Sequence, residues 1–537
     1  MGFNSYIMIY IDLEQISLKD LWQNDLCNDV KRVFGTKNLL RGTVMGKDID
    51  EREYSASDYD QFNRRIHDQV DILKEVLNGP DFGKGPLCIG AELEVYLIDE
   101  KSEVSPVNLL LLEMLQDEQF QTELNKFNLE LNLSPVKAAG RPFSELTKEM
   151  LNKFNILWKV AAEIKTRPLA IGILPTLKQD DLSHKNMTDI DRYRVLAREL
   201  LRHRGESFHI KIDGDESVDF KTSEVCVEGA NTSFQVHLMT KPEKFVNSFN
   251  AAQLTLPMAL GVSANSGLLL NKCLWDETRV VLFKQSIDNR MPDASGWRQP
   301  SRVTFGHGWL RKSGWELFSE TVNLYQPIFP EIFDSEDLEP GQLPELAELN
   351  LHMGTTWPWN RAVYCNKGNG HMRIEFRALP AGPTALDMAA NAAFSIGMAV
   401  GLEEKIDEYM ARIPFRFAEY NFYRAAKSGL NATILWPQKY QNKPVEVPIC
   451  NVIDEMLQVA SDGLSALDIE LTERDKYLGI IQRRLSKNVN GASWTKNTVR
   501  HLRKSMNNDQ ACSVMLDRYF DNQMCGQPVS EWEQCWK

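Results

Sequence analysis

Arg373-Ile374-Glu375-Phe376-Arg377 alternates charged and apolar residues over five positions. Read as a β-strand, it sets Arg373, Glu375 and Arg377 on one face and Ile374 and Phe376 on the other, because successive side chains point to opposite sides. The apolar pair can anchor the strand to a core. The opposite face then carries two cations and a carboxylate in a row, which is costly to bury without partners. An anionic ligand together with a metal ion would satisfy it, so the row points to phosphate- and metal-handling chemistry.

Other segments carry matching residues. Leu87 to Ile98 (LCIGAELEVYLI) reads as a strand with Glu92 and Glu94 on one face. Two carboxylates placed this way can converge on a hard cation such as Mg²⁺, which takes oxygen ligands and shares its sphere with substrate phosphates. By itself the pair is also what a solvated strand face looks like. In TELNKFNLELNLSP, Glu123 and Glu130 form a second acidic region, and Leu129 and Leu131 flank Glu130 with strand alternation. In SFQVHL, Gln235 and His237 alternate on one strand face. A lone strand histidine is more often a satisfied structural residue, but beside several carboxylates it is a candidate for metal or phosphate contact. Arg279 and Arg361, taken alone, read as surface cations or structural ion pairs.

Between these segments the texture is strand, turn and helix. Strands are expected over Phe127–Leu133, Leu169–Leu177 and Asn231–Met239, and a strand pair around Arg361 and Arg373. After Pro142, Leu146, Met150, Phe154, Leu157, Trp158 and Ala161 follow helical spacing. Asp191 to Arg204 reads as a charged helix. An acidic loop runs from Phe333 to Leu346, and Pro383 opens an Ala-rich helix from about Thr384 to Glu404 with a small-residue face. Residues from about 415 onward are mostly helical.

The 537 residues allow two or three units, and the charged and hydrophobic fractions are those of a soluble globular protein. The net charge of −13 argues against nucleic acid as a partner, which needs a basic footprint, while leaving room for ATP in local Arg and Lys pockets. Nine cysteines are scattered without a CxxC pair, so a zinc knuckle is unsupported and a reduced, cytoplasmic chain is expected. The apolar run Tyr6 to Ile11 is too short to span a bilayer, no cleavage site follows it, and Tyr6 stands where myristoylation wants Ser or Thr. No signal and no membrane segment are expected. There is no GxxxxGK[ST] loop and no GxGxxG after a strand, and Gly261-Val262-Ser263-Ala264-Asn265 lacks the final glycine of a nucleophile elbow.

The order of these segments, from about Leu87 to about Ala426, resembles the glutamate–cysteine ligase family, in the carboxylate–amine ligase branch of the glutamine synthetase superfamily. GAELEVYLID is similar to the family's first metal-binding strand, which implies metal roles for Glu92 and Glu94. TELNKFNLELNLSP is similar to its second acidic strand, implying the same for Glu130 and less directly for Glu123. SFQVHL resembles its HVHV-type strand, making His237 a nucleotide or metal contact beside Gln235. GVSANSGLLLNKCLWDETR resembles its ANSP segment and following arginine, which implies substrate or phosphate contact for Arg279. LHMGTTWPWNRAVY resembles the next segment, marking His352, Thr355, Thr356, Pro358 and Arg361. In RIEFRALPAGPTALDMAANAAF, the resemblance implies that Glu375 binds metal and Arg377 stabilises the transferring phosphoryl group, with Arg361 beside them and Arg373 a weaker nucleotide contact. Gln235 stands where many bacterial relatives carry His, and Gly267 replaces the usual Pro.

The implied fold is α+β: a glutamine synthetase-like catalytic domain whose curved, mainly antiparallel sheet forms a funnel-shaped active site flanked by helices. That domain would span 81–415, after an N-terminal helical extension over 1–80 and before a C-terminal helical region over 416–537. The implied activity is ADP-forming ligation of an amino-acid carboxylate to an amine, with ATP and Mg²⁺ (or Mn²⁺), as in glutathione biosynthesis. Two other readings stay open: an inactive scaffold, and a phosphagen-type guanidino kinase. No oligomer interface is legible.

Overall fold

The strand read from RIEFR runs over His371–Phe376 and lies second from the edge of a seven-stranded sheet. The computed structural model describes residues 49, 51–291, 298–333, 341–438, 441 and 443–536. The expectations placed on residues 1–48, and residues 334–340 of the acidic loop, lie outside the described residues. The sheet comprises β1 (Cys88–Ile98), β2 (Phe120–Thr122), β3 (Asn128–Lys137), β4 (Arg167–Leu169), β5 (Phe234–Thr240), β6 (Asn360–Cys365) and β7 (His371–Phe376). Its order is β6-β7-β5-β1-β3-β2, with β4 paired to the far end of β1. Every pairing is antiparallel.

Residues directly opposite in such a ladder share a face. Ile374 lies opposite Leu238 and Ala362, Val236 opposite Phe376 and Ala91, and Leu93 opposite Leu131. These residues are all buried and form one apolar face. Each large side chain among them contributes roughly 1.5–3 kcal/mol on burial. The other face is polar: Glu375 is opposite His237 and Arg361, Glu92 opposite Gln235 and Asn132, and Glu94 opposite Glu130.

The helices 142–163, 245–263 and 385–401 cover the apolar face, and further helices pack elsewhere around the sheet. The first helix, α1 (Ala56–Leu77), is capped by Ser55 and buries Phe62, Ile66, Val70 and Leu73 against the helices Trp315–Leu324 and Ala347–Met353. In α2 (Pro142–Glu163) the stripe expected from spacing is buried, and Pro142 sits in the first turn, where its missing N–H costs nothing. Next come α3 (Asp191–Arg204) and the almost wholly buried α4 (Phe245–Ser263). At α5 (Ala385–Gly401), the Thr384 side chain caps the first turn by accepting from the Asp387 N–H. Packed on α5 are α6 (Ile449–Ala466) and α7 (Leu471–Lys487), followed by α8 (Gly491–Leu502) and α9 (Asn508–Cys525).

The small-residue face of α5 is where α6 crosses it. A Cβ added to Gly463 would stand 2.1 Å from the Gly397 carbonyl oxygen, and one added to Gly401 would stand 2.2 Å from that of Val459. Backbone so close leaves no room for a methyl. Gly463→Ala is therefore expected to lower stability by about 1–3 kcal/mol, read as a lower denaturation midpoint. An unchanged midpoint would argue against this crossing.

One strand expectation needs correction. Leu169–Leu177 is a strand only through Leu169, because the chain turns through Gly172 and Pro175. Ile171, Ile173, Leu174 and Leu177 are buried in a second core shared with the hairpin 208–222, α8 and α9. Their apolar spacing reports that core and not a sheet. The expected strand at Asn231–Met239 is found at Phe234–Thr240, and the C-terminal region adds a hairpin of Thr433–Trp436 with Val445–Pro448 to its helices. Among the described residues, no helix is long and apolar enough to cross a membrane.

Candidate active site

The polar face of the sheet gathers residues that lie far apart in sequence. Glu375, on β7, is fully buried. Arg361, opposite it on β6, donates from Nε to Oε2 at 2.5 Å and from Nη2 to Oε1 at 3.0 Å. Arg377, just past β7, donates to Oε1 at 2.6 Å. Burial disfavours the Glu375 charge, but Arg361 and Arg377 outweigh it and hold the carboxyl well below its usual range. Arg377 stays in the ladder through its N–H, which donates to the Trp359 carbonyl at 3.0 Å.

His237 stands between β7 and β1. Its Nδ1 accepts from Arg373 Nε at 3.0 Å, which leaves the proton of the neutral ring on Nε2. Nε2 lies 3.0 Å from Glu92 Oε1, yet it is buried without an aligned hydrogen-bond partner. Ligand atoms of Glu92, His237 and Glu375 all lie within 4.8 Å of one another. For His237 to ligate through Nε2, the ring has to give up its bond from Arg373, so that arginine and a cation compete for the tautomer.

A second group forms one step along β1. Ligand atoms of Glu94, Glu123 and Glu130 also lie within 4.8 Å of one another. Burial raises the pKa of Glu94, although Ser233 and Arg279 oppose the rise. Burial, then repulsion from Glu94 and Glu130, puts Glu123 well above its ordinary value. Glu130 is pushed up to about 8 by burial, with Glu92 and Glu94 adding repulsion. Crowded like charges with oxygen donors suit a hard divalent cation, and so does the orphaned His237 Nε2 beside two carboxylates. Mn²⁺ is accordingly expected to raise the melting temperature of chelator-treated protein, and Glu94→Gln with Glu130→Gln to blunt the rise. An equal rise in the double variant would count against cation binding here.

Gln235 joins the two groups. Its Nε2 donates to Glu94 Oε1 at 2.9 Å, and its Oε1 accepts from Arg377. Ser233 adds two bonds to Glu94, from its N–H at 2.8 Å and its hydroxyl at 2.9 Å. Arg279 lies in a less direct place than expected. It lines the cavity beside Glu94, but Nη1 is held by Glu277 and the Ala378 carbonyl, both at 3.1 Å. It thus braces the chain just after β7. Among the other residues marked by the resemblance, His352 is buried and pushed down to about 3 by burial, then by Arg302, while Thr355 is bonded to Arg302 and to the His352 carbonyl. These positions shape the entry to β6. Gly267 also has a packing reason: a Cβ there would meet Lys496 Cδ at 2.8 Å under α8.

The cavity also contains residues that the sequence did not single out: Asn128, Glu228, Asn231 and Trp359. Asn128 alternates with Glu130 along β3 and could have been found by period-two spacing. Glu228 lies in the short 3₁₀ turn Val225–Ala230, where no periodic signal marks it. Burial, then repulsion from Glu94, pushes it up to about 7.

The family that the sequence matches is one of carboxylate–amine ligases. Residues 88–501 match the family described as glutamate-cysteine ligase family 2 (GCS2), and the chain belongs to that family. The comparison with curated proteins gave no match. Among solved structures, a Francisella tularensis glutamate–cysteine ligase in complex with AMP is similar at 12% identity and TM-score 0.47, covering 83% of this chain and 90% of that one. A bifunctional glutathione synthetase from Pasteurella multocida is similar at 14% identity and TM-score 0.43, over 85% of this chain and 55% of that one. The Pup ligase PafA, in complex with the prokaryotic ubiquitin-like protein Pup, is similar at 8% identity and TM-score 0.37, over 80% and 72%.

Proposed function

We propose that the protein is an ATP-dependent, ADP-forming carboxylate–amine ligase of the glutamate–cysteine type. The observation that supports it best is the pair of three-donor groups on neighbouring same-face positions of β1, with Arg361 and Arg377 converging on Glu375. On this reading a carboxylate oxygen of glutamate attacks the γ-phosphorus of ATP. The bond from that phosphorus to the ADP oxygen breaks, giving an acyl phosphate. The amine nitrogen then attacks the acyl carbon, phosphate leaves, and the nitrogen gives up a proton.

In phosphoryl transfer the protein's work is mainly positioning and charge neutralisation. Divalent cations held by Glu92, Glu375 and His237, and by Glu94, Glu123 and Glu130, would neutralise the phosphates and align the reacting oxygens. Arg377 is the phosphoryl clamp and Arg361 its partner, since a planar guanidinium meets phosphate oxygens bidentately. Gln235 aims Arg377, Arg373 competes with a cation for the His237 tautomer, and Arg279 braces the strand end. We assign catalysis to residues 81–415 as a glutamine synthetase-like domain with a funnel-shaped site, flanked by the 1–80 extension and the 416–537 helices, in a cytoplasmic enzyme of glutathione biosynthesis.

An ADP-release screen with Mg²⁺ or Mn²⁺ tests this, crossing glutamate and other acids with the standard amino acids and common polyamines. Turnover with glutamate and a thiol-bearing amine is expected. Tight Mg-ATP binding without ADP release across the panel would overturn it in favour of a scaffold. Arg377→Ala should remove about 2–4 kcal/mol of transition-state stabilisation, read as a fall in kcat with nucleotide still bound.

A further inference from the structure

The cavity beside Glu94 is lined by residues with polar atoms that nothing satisfies. Oδ1 of Asn128, Oδ1 of Asn231, Nε of Arg279 and Nε1 of Trp359 are all buried without a hydrogen-bond partner. Asn128 is 1% exposed, and Arg279 and Trp359 are each 2% exposed. Glu228 lines the same cavity; its carboxylate has no hydrogen-bond donor among the described residues, and Arg377, also in the lining, acts on it only through space. Unsatisfied buried groups of this kind are rare in folded proteins and each calls for an explanation.

The two amides are fixed in orientation by what their nitrogens do. Asn231 Nδ2 donates to the Glu228 carbonyl at 2.7 Å, and Asn128 Nδ2 donates to the Val95 carbonyl at 3.5 Å. Each amide therefore keeps its oxygen as the free acceptor. Asn128 also shares its side of β3 with Glu130, on the polar face. Two amide oxygens without a donor and one carboxylate thus belong to residues that line one cavity.

The complement of such a group is a cation with several N–H bonds. A primary ammonium offers three donors and no acceptor. A metal ion is better served next door, because Glu228 does not belong to the group of Glu94, Glu123 and Glu130. The two orphaned donors, Arg279 Nε and Trp359 Nε1, suit an anionic group on the same molecule. We propose that Glu228, assisted by Asn128 and Asn231, is a specificity-determining residue that receives the ammonium group of the amine substrate. That this ligand is a substrate rests on the ligase reading above.

The test is calorimetric binding to the full chain with Mg²⁺ and a non-hydrolysable ATP analogue present. The standard amino acids and putrescine are titrated, each beside its deaminated counterpart, such as 3-mercaptopropionate for cysteine. At least one ammonium compound should bind, its deaminated counterpart should bind about tenfold more weakly or worse, and Glu228→Gln should cost the amine about tenfold while the nucleotide affinity holds. Equal binding of an amine and its deaminated counterpart overturns the proposal, as does no amine binding at all. So does a Glu228→Gln variant that loses Mn²⁺ instead of the amine. Should Glu228→Gln not fold, Glu228→Asp and the wild-type pairs decide between the same outcomes. An amine that binds in this way without any ADP release would sink the ligase reading and leave the ammonium site standing.

Discussion

Glu375→Gln is expected to lower ADP release by about 10³-fold or more, with the fold retained. The substitution keeps the shape of the side chain and removes its charge. It takes a donor from the group with Glu92 and His237, and it frees Arg361 and Arg377 from the carboxylate that aligns them. The structural penalty is limited because both arginines reach solvent, with side chains 22% and 16% exposed. Steady-state ADP release and circular dichroism on the same preparation separate the two effects. Turnover within a few-fold of wild type would sink the role given to Glu375.

The opposite balance is expected at Asp387. Its carboxylate accepts from Arg484 Nη2 at 2.7 Å, from the Thr384 hydroxyl at 2.8 Å and from the Val529 N–H at 3.0 Å. Neither side chain of the ion pair reaches solvent appreciably, at 0% and 1% exposed. Removing one partner strands a buried charge, so Asp387→Ala should cost about 3–5 kcal/mol. The double variant Asp387→Leu with Arg484→Met should recover much of that, since an apolar pair leaves no charge unmatched. Denaturation midpoints of the three proteins decide it. A single variant as stable as wild type would show that the pair does not tie α7 to α5.

The contrast between these two carboxylates shows how far the sequence could be read. The alternation in RIEFR and in GAELEVYLI placed Glu375, Glu92 and Glu94 on polar strand faces, and the structure puts them there. Helical spacing after Pro142 likewise marked the buried stripe of α2. Leu169–Leu177 shows the failure of the same logic, because an apolar run packed into a second core looks like a strand until Gly172 and Pro175 are seen to turn it. Arg279 carried no local sign that Glu277 would hold its guanidinium.

Which residues could share a face was legible from the chain alone, because the strand pleat dictates that over two or three positions. The family was legible too, through the order of the segments. The company these residues keep came only with the folded molecule: His237 opposite Glu375, Glu130 opposite Glu94, Gln235 between Glu94 and Arg377, and Glu228 beside them from an irregular turn. The physical reason is that pairing register between distant strands is set by burying one apolar face against α2, α4 and α5. That choice places every polar side chain opposite its partner at once.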